Sequence, residues 1–568
     1  MRKNFLNAEK CDDKIIPFKK AQKYYGKLID EKADNGDFIG ALSMAFSSLK
    51  NEFSFDTLAD IADIYADMGE YELSDEYWYK YLSCAPEDKK SIAYEELAIN
   101  AFDLKNYGLA AYYIDKKMSV DGFLSRKDLG QEMLDFLSEG INKKDLYKIV
   151  YPEEKSDYST EITLAKNAAL AGNFEMAAGI LKNVPKASPS YSQAAEELSM
   201  AYFAMGKVSA AIEINRDLLA RFGKNASVYF NLASMYRAEK DFDKSAYYYS
   251  LAKNMPIDED SEMKFALCAI EQEDHAAAVK ALEKIIDDDY YDAKIIGYYG
   301  LALFNVGEYE KAEEVLKKAY MIDPRNPVAK YYARLALDVS NGNTKRVSVL
   351  PYDGDLPKKE VEKRLKTLDK VLSGTENLKP EEKRNINDYI SWGLFSGGAA
   401  FKKSVVAAVS EMDKERENLI SDALISGEIA PNLKQSIIFM LVSVGYKKRI
   451  YTASDGVFFS FKPRKLPCEK DEDSKFFIAY CTALSKMAFS GENMDKIAFS
   501  VNELYKKFNN SELIKMINYE ELAAAAVVGC EYETFKKPDT VYDIFGVKKE
   551  KMKTLIDCFG AEKYGKNN

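Results

Sequence analysis

The chain has 568 residues, of which 47% are hydrophobic and 30% are charged, and its formal net charge is −11. A chain of this length exceeds what one compact core usually holds, so we expect several compact units or one extended solenoid. The acidic balance argues against a protein that binds nucleic acid over its whole surface, because such proteins usually carry a basic footprint.

The N-terminal residues lack the apolar stretch of a signal peptide, and the chain contains no run of 18 apolar residues. We therefore expect no membrane span. The seven cysteines are scattered and form no Cys-x-x-Cys pair, which argues against a zinc site or a redox dithiol. This usage is typical of a reduced protein, so we expect a cytoplasmic location.

A short pattern recurs in the first 340 residues: a small or turn residue, a polar residue, an aromatic residue, two further residues, and then Ala or Ser. Gly36-Asp37-Phe38 with Ala41 is one copy, and Gly307-Glu308-Tyr309 with Ala312 is another. The aromatic position, called the marker, falls at residues 38, 71, 107, 174, 208, 242, 275 and 309. Successive markers are 33, 36, 67, 34, 34, 33 and 34 residues apart. The interval of 67 is close to two periods, so we expect a degenerate ninth copy near Gly140-Ile141.

A helix-turn-helix period of about 34 residues resembles the tetratricopeptide repeat (TPR) family over roughly residues 21–340. Leu232-Ala233 precede Phe242 by ten and nine positions, and Pro324 follows Tyr309 by fifteen, as that family's pattern requires. The resemblance implies an all-α solenoid over residues 1–340, made of about nine helical hairpins and a capping helix at 327–340. It also implies a protein or peptide partner of open identity, bound in the concave groove that stacked first helices create.

Each residue type in the pattern has a physical role. We expect the Gly or Asn before the marker to close the first helix in a left-handed conformation. The marker ring should fill the gap between hairpins. The Ala or Ser three residues later should lie where the two helices of a hairpin cross closely.

Counting back from each marker selects seven residues on or beside the concave face. They are Phe203, Phe230, Asn231, Arg237, Lys264, Tyr298 and Phe304. Aromatic anchors beside donors for carbonyls and carboxylates suit a peptide groove. The alternative is that several of these residues simply pack.

Asn231 occupies the position that chaperone-tail-binding TPRs use to grip a peptide C-terminus. However, Gln193 and Glu197 stand where those proteins carry Lys and Asn, and Asp260 replaces another Lys. We therefore do not expect capture of a carboxylate tail.

The repeat phase ends at the turn-rich residues 340–344, and we interpret residues 341–357 as a linker. We expect a helical, HEAT-like region at 358–465 that contains one β-hairpin at about 450–461, because Asp455-Gly456 separates two β-rich runs. Residues 466–568 are predicted to be helical. This C-terminal part is similar to uncharacterised bacterial TPR proteins. The hairpin edge suits addition of a peptide strand, but packing onto the neighbouring helices is the favoured interpretation.

Residues 538–558 resemble a helix-turn-helix whose second helix carries Lys548, Lys549, Lys551 and Lys553. Tyr542 stands where a small residue normally lets the two helices pack, and the second helix has no Arg, Asn or Gln to read bases. The lysines would give only nonspecific phosphate contacts. The favoured function is thus a protein-interaction scaffold, and the alternative is a ligand- or peptide-sensing regulator that binds DNA through this segment.

We identify no catalytic residue, no metal site and no cofactor. His275, the only histidine, stands at a marker and is expected to be a packed ring, which excludes Ser-His-Asp triads and multi-histidine sites. Gly393 and Gly398 have the spacing of a phosphate loop without its Lys-Ser/Thr. An enzyme built on carboxylates is a third hypothesis, but no acidic pair is singled out by its spacing.

Overall fold

The computed structural model describes most of the chain. It covers residues 18–51, 53–104, 106–121, 158–170, 173–257, 259–287, 290–325, 327–345, 349–352, 356–372, 380–395, 414–466, 475–532, 535 and 538–556. The predicted ninth hairpin near residue 140 and Gly398 lie outside these ranges.

Eight pairs of successive helices and one final single helix make up the described part of the predicted solenoid. They are α1 (Phe18–Asp34), α2 (Phe38–Asn51), α3 (Phe55–Asp67), α4 (Tyr71–Cys84), α5 (Lys90–Asp103), α6 (Tyr107–Asp121), α7 (Ser159–Leu170), α8 (Phe174–Leu181), α9 (Tyr191–Ala204), α10 (Val208–Phe222), α11 (Ala226–Ala238), α12 (Phe242–Lys253), α13 (Glu259–Glu271), α14 (His275–Ile285), α15 (Ala293–Val306), α16 (Tyr309–Ile322) and α17 (Pro327–Ser340). Every second helix from α2 to α16 begins at its marker residue, so the repeat phase predicted these helix starts correctly.

The C-terminal region is helical with one β-hairpin, as predicted. Its elements are α18 (Lys358–Leu372), α19 (Pro380–Phe395), α20 (Lys414–Ile425), α21 (Pro431–Ser443), β1 (Ile450–Ser454), β2 (Val457–Phe461), α22 (Lys475–Met487), α23 (Asp495–Phe508), α24 (Tyr519–Gly529), α25 (Pro538–Phe545) and α26 (Lys549–Ile556). One hydrophobic core runs through these elements, and Ile390, Ile437, Leu504 and Leu522 are fully buried in it.

The chain divides into two compact units. The first contains the described residues of 1–137, 321–328 and 354–568, and the second contains those of 138–320 and 329–353. The hairpins α1/α2, α3/α4 and α5/α6 therefore belong to the first unit, and the hairpins from α7/α8 to α15/α16 belong largely to the second. The predicted solenoid is divided between the two.

The small residue of the repeat pattern lies at the crossing of each hairpin. All eight residues at this position are 0% exposed, namely Ala41, Ser74, Ala110, Ala177, Ala211, Ser245, Ala278 and Ala312. Close approach of two helix backbones requires a small side chain at the contact, because protein interiors are packed without room for larger ones. Their full burial agrees with the predicted role of this position.

The turn between paired helices uses a left-handed residue two positions before the marker. Gly36, Gly69, Gly206 and Gly307 have φ of 76°, 77°, 74° and 95°, as expected for glycine in this position. Asn173, the polar residue of its copy of the pattern, caps the second helix: its Oδ1 accepts from the Met176 amide at 3.1 Å.

The marker rings are less buried than we predicted. Phe242 is 58% exposed and Tyr107 is 42% exposed, so neither fills a closed gap between hairpins. The buried small residue, rather than the marker, therefore provides the tight contact in these two hairpins.

In the first unit, the β-hairpin packs against the N-terminal helices. Strands β1 and β2 pair antiparallel around a turn at Asp455-Gly456, as predicted. The Gly456 carbonyl accepts hydrogen bonds from the Tyr79 hydroxyl at 2.9 Å and the Tyr113 hydroxyl at 2.5 Å. The Phe458 ring stacks on Tyr79 with centroids 5.5 Å apart. Thr452 Oγ1 also donates to the Leu424 carbonyl at 2.8 Å, so the hairpin packs on α20 as well as on α4 and α6, and the expectation that it packs on neighbouring helices is confirmed.

A buried ion cluster also joins distant parts of the first unit. The Arg325 guanidinium contacts the carboxylates of Glu76 and Asp323, and it donates to Ser426 Oγ at 3.2 Å. Glu76 Oε1 accepts from the Gly427 amide at 3.2 Å. The side chains of Arg325 and Glu76 are 13% and 6% exposed. Since an unpaired buried charge is costly, this cluster ties α4 to residues 321–328 and to the turn after α20.

We expect Gly300→Ala to destabilise the second unit. A Cβ at Gly300 would lie 2.5 Å from Leu316 Cγ and 3.3 Å from the Leu316 backbone nitrogen, so α15 and α16 would have to move apart. The expected loss is about 1–3 kcal/mol of unfolding free energy. Gly297→Ala is the matched control in the same helix, because nothing lies within 4 Å of its added Cβ. It should stabilise by up to about 1 kcal/mol through helix propensity.

Urea unfolding followed by far-UV circular dichroism measures both variants. The two tryptophans, Trp78 and Trp392, lie in the first unit, so their fluorescence separately follows that unit. Equal stability of the Gly300→Ala and Gly297→Ala proteins would show that α15 and α16 are not in close contact.

We expect Arg325→Met to destabilise the first unit by about 3–5 kcal/mol, because it leaves the Glu76 carboxylate buried without its guanidinium. The double variant Glu76→Gln, Arg325→Met removes both charges. Its loss of unfolding free energy should be about 1–3 kcal/mol smaller than the sum of the losses in the two single variants. Tryptophan fluorescence during urea unfolding measures the cycle, and strict additivity would mean that the two side chains do not interact.

Candidate functional site

Four polar side chains from three successive first helices converge in the second unit. Glu196 on α9 accepts hydrogen bonds from Ser227 and Asn231 on α11, the latter at 3.3 Å, and from Lys264 Nζ on α13 at 2.5 Å. Lys264 Nζ also donates to Ser227 Oγ at 2.8 Å. We call these four residues the Glu196 cluster. It places acceptors and donors from three hairpins at one point.

A second polar contact lies one helical turn further along α11. Ser234 Oγ donates to Glu271 Oε2 on α13 at 2.5 Å. Burial raises the pKa of Glu271, while the Ser234 hydrogen bond and the nearby Arg237 charge lower it in part. Arg237 is about one third exposed and lies 3.9 Å from Glu273. The face around α11 and α13 therefore carries charges of both signs.

The structure divides the seven predicted groove residues into a group of five that includes polar or half-buried residues and a group of two buried rings. In the first group, Asn231 and Lys264 both bond to Glu196, and Phe203, Arg237 and Tyr298 are half-buried.

Phe230 and Phe304 belong to the other group. They are 1% and 2% exposed. The Phe230 ring stacks on Phe265 at 5.4 Å, and the Phe304 ring packs edge-on against Tyr309 at 5.0 Å. Their burial contradicts a role as exposed anchors, because the neighbouring helices already cover both rings. They are packing residues.

Within the segment that we predicted as a linker, residues 349–352 are packed against helices of the second unit. The Leu350 amide donates to Asn305 Oδ1 at 2.7 Å, and Asn305 Nδ2 donates to the Leu350 carbonyl at 3.0 Å. The Tyr352 hydroxyl lies 2.9 Å from His275 Nδ1, and the Tyr352 and Tyr298 rings meet edge-on at 6.4 Å. The single histidine is thus half-buried, as expected of a packed ring, and it contacts this segment.

Reasoning from the sequence missed Glu196 and Ser227. Both were detectable, because Ser227 is fifteen residues before the marker Phe242 and Glu196 is twelve before the marker Val208. These offsets place them on the same helix face as the residues that we did select.

An acidic row on α3 was also missed. Asp56, Asp60, Asp63 and Asp67 are spaced by four, three and four residues, which places them along one helix face. Partial desolvation and neighbouring carboxylates raise the pKa of Asp60 to about 6 and that of Asp63 to about 7. The first unit therefore presents a face where negative charges repel one another.

The first unit also contains a cleft of about 710 Å³ between α4, α20 and β1. Lys80 Nζ lies 3.0 Å from Asp422 Oδ1, and Lys448 Nζ lies 2.7 Å from Glu417 Oε1. The hydrogen bond from Lys448 holds the pKa of Glu417 below its usual range. These two ion pairs neutralise four of the charges that line the cleft.

The C-terminal helical pair has the predicted order of elements. Helices α25 and α26 are joined through Gly546, whose φ is 67°. Tyr542 is buried in the core of the C-terminal region, so the pair accommodates a large ring there. Lys548 and Lys549 are exposed, and Lys549 Nζ lies 3.0 Å from Asp539. The side chains of Lys551 and Lys553 lie outside the described set.

Within the described residues, no group of His, Cys, Asp and Glu side chains is arranged to hold a metal ion. Burial raises the pKa of the Cys268 thiol to about 12 and that of Cys84 to about 11, so neither forms a reactive thiolate near neutral pH. In the same part of the chain, no helix is both long enough and apolar enough to cross a bilayer.

A comparison with curated proteins gives no match. Among solved structures, the TPR2AB domain of yeast Sti1, in its complex with pHSP90, is 13% identical, with a TM-score of 0.22; the match covers 46% of this chain and 99% of that one. Yeast Tom70 is 12% identical, with a TM-score of 0.21 and coverage of 88% and 99%. The C-terminal part of a TPR repeat-containing protein from Cytophaga hutchinsonii is 15% identical, with a TM-score of 0.17 and coverage of 54% and 98%.

The family model described as tetratricopeptide repeat matches residues 196–261 and 263–327. The matched residues include the whole Glu196 cluster and Asn305, so this site lies in the part of the chain that is similar to tetratricopeptide repeats.

Proposed function

We propose that the protein is an interaction scaffold that holds an extended segment of a partner protein against the first helices of its second unit. The observation that supports this most is the Glu196 cluster. A stacked helical core needs only apolar contacts, yet three successive first helices contribute polar side chains to one place. The Lys264 side chain is 38% exposed there, so solvent or a partner can reach it.

The chemistry of this face favours main-chain and polar side-chain contacts. Glu196 already neutralises Lys264, and the Arg237 guanidinium lies near Glu271 and Glu273. A carboxylate terminus would need an unpaired positive charge, whereas a peptide backbone needs donors and acceptors side by side. Half-buried Phe203 and Tyr298 add aromatic surface. We propose no catalytic role, and we propose the cytoplasm as the location because the cysteines are scattered and unsuited to a disulfide framework.

Binding of DNA through residues 538–558 is the second candidate. The presence of two short helices joined at Gly546 favours it. The pairing of Lys549 with Asp539 weakens it, since a carboxylate beside the lysine repels phosphate.

We expect the double variant Arg237→Ala, Lys264→Ala to remain folded but to lose binding of partner proteins. Loss of two interface contacts of about 1 kcal/mol each should weaken binding about tenfold or more. The measurement is affinity purification from the native cell followed by mass spectrometry. Lys280→Ala, Lys317→Ala is the matched control, because it removes two exposed positive charges from second helices. If the first variant retains every partner that the control retains, the binding face is wrongly assigned. Phe230 is left intact in this test because its truncation would damage the core.

The DNA hypothesis predicts duplex binding that weakens steeply with salt, because phosphate contacts release counterions. Changing Lys548, Lys549, Lys551 and Lys553 together to Glu should abolish it. A gel-shift titration at two salt concentrations measures the effect. Absence of binding by the unmodified protein at low salt would exclude this function.

A further inference from the structure

Residues 349–352 are held by the second unit in the way that a peptide is held. The Asn305 side chain contacts the amide and the carbonyl of Leu350, at 2.7 and 3.0 Å. Both bonded groups belong to the main chain, so an extended segment of a different sequence could supply the same pair. The main chain of Leu350 thus bonds both the acceptor Oδ1 and the donor Nδ2 of the Asn305 side chain.

The side chains of the segment alternate between the repeat surface and solvent. Leu350 is 1% exposed, and Tyr352 is half-buried against Tyr298 and His275. Val349 and Pro351, by contrast, are exposed. A period of two is the signature of an extended chain lying on a surface. The surface therefore accepts an aliphatic side chain and, two residues later, a tyrosine.

The contacts differ in kind from ordinary core packing. Asn305 is 8% exposed, and displacement of the segment would break both hydrogen bonds of its amide. Tyr352 adds the contact between its hydroxyl and His275 Nδ1. Three residues on α14 and α15 thus contact two residues of the segment, Leu350 and Tyr352. All three lie within the part of the chain that matches tetratricopeptide repeats.

We propose that residues 349–352 occupy a peptide site around Asn305, Tyr298 and His275, and that a partner binds there by displacing them with its own extended aliphatic-x-Tyr segment. The proposal rests on the proposed scaffold function and specifies one of its ligands. Because the internal segment is tethered, its effective concentration is high, of the order of millimolar. A partner must therefore bind tightly, or through further contacts, to replace it.

The test uses the full chain and a fluorescein-labelled peptide with the sequence of residues 346–355. The variant Leu350→Gly, Tyr352→Ala, called the emptied variant, removes both side chains that anchor the internal segment and leaves only main-chain hydrogen bonds to hold it. Fluorescence anisotropy should show that the peptide binds this variant at least about tenfold more tightly than it binds the unmodified protein. Adding Asn305→Ala to the variant should remove the binding, since it removes both main-chain hydrogen bonds. A peptide with the same Leu→Gly and Tyr→Ala changes is the control ligand and should bind much more weakly, because it lacks both side-chain anchors.

Absence of peptide binding to the folded, emptied variant would overturn the proposal. Peptide affinity that is unchanged by Asn305→Ala would also overturn it. If the emptied variant fails to fold by circular dichroism, Tyr352→Phe replaces it. That change removes only the hydroxyl contact with His275 and should raise peptide affinity a few-fold over the unmodified protein; no increase would count against the proposal. If the Arg237→Ala, Lys264→Ala variant loses its partner proteins but the peptide fails to bind the emptied variant, only the inference about residues 349–352 is refuted. The proposed scaffold function then stands. Peptide binding with all partners retained would instead refute the scaffold face around the Glu196 cluster.

Discussion

The close crossing of two helices at a fully buried Ala or Ser is the contact on which the rest of the repeat region depends. With no side chain larger than a hydroxymethyl group between them, the helix backbones approach closely, and the relative rotation of the pair is fixed. Because this contact recurs in each described hairpin, each first helix presents equivalent positions on one face. That regularity brings Glu196, Ser227 and Lys264 together from three hairpins, although they lie up to 68 residues apart in the chain.

The local features of the repeats were predictable because they depend on residues close in sequence. The marker phase predicted the start of each second helix, the buried small residue and the left-handed glycines, since all three follow from the geometry of a single hairpin. It failed for Phe230 and Phe304. Phase gives the angle at which a side chain leaves its helix, but the exposure of the ring depends on whether the next helix covers it. Phe265 and Tyr309 cover these two rings, and no spacing rule contains that information.

Contacts between residues that are far apart in the chain could not be predicted from the sequence for the same reason. Glu76 and Arg325 are 249 residues apart, and neither stands in a pattern that names the other. Residues 349–352 look like a linker because Pro, Asp and Gly surround them, and composition alone cannot show that Asn305 will bind their main chain. The Glu196 cluster is an intermediate case. The repeat phase gives the helix face of each member. It does not single out Glu196 and Ser227, because a single carboxylate or hydroxyl on a repeat helix is usually solvated.

The buried ion cluster of the first unit has a consequence for biosynthesis. Its members leave the ribosome in the order Glu76, Arg325, Ser426, and the hairpin carbonyl of Gly456 that binds Tyr79 and Tyr113 emerges later still. The N-terminal hairpins are therefore translated before the groups that bind the Glu76 carboxylate and the Tyr79 and Tyr113 hydroxyls in the folded unit. A fragment cut at the end of the repeats would keep Arg325 but lack Ser426, Gly427 and Gly456. The buried polar groups of the first three hairpins consequently depend on partners that come much later in the chain, even though their helices are local in sequence.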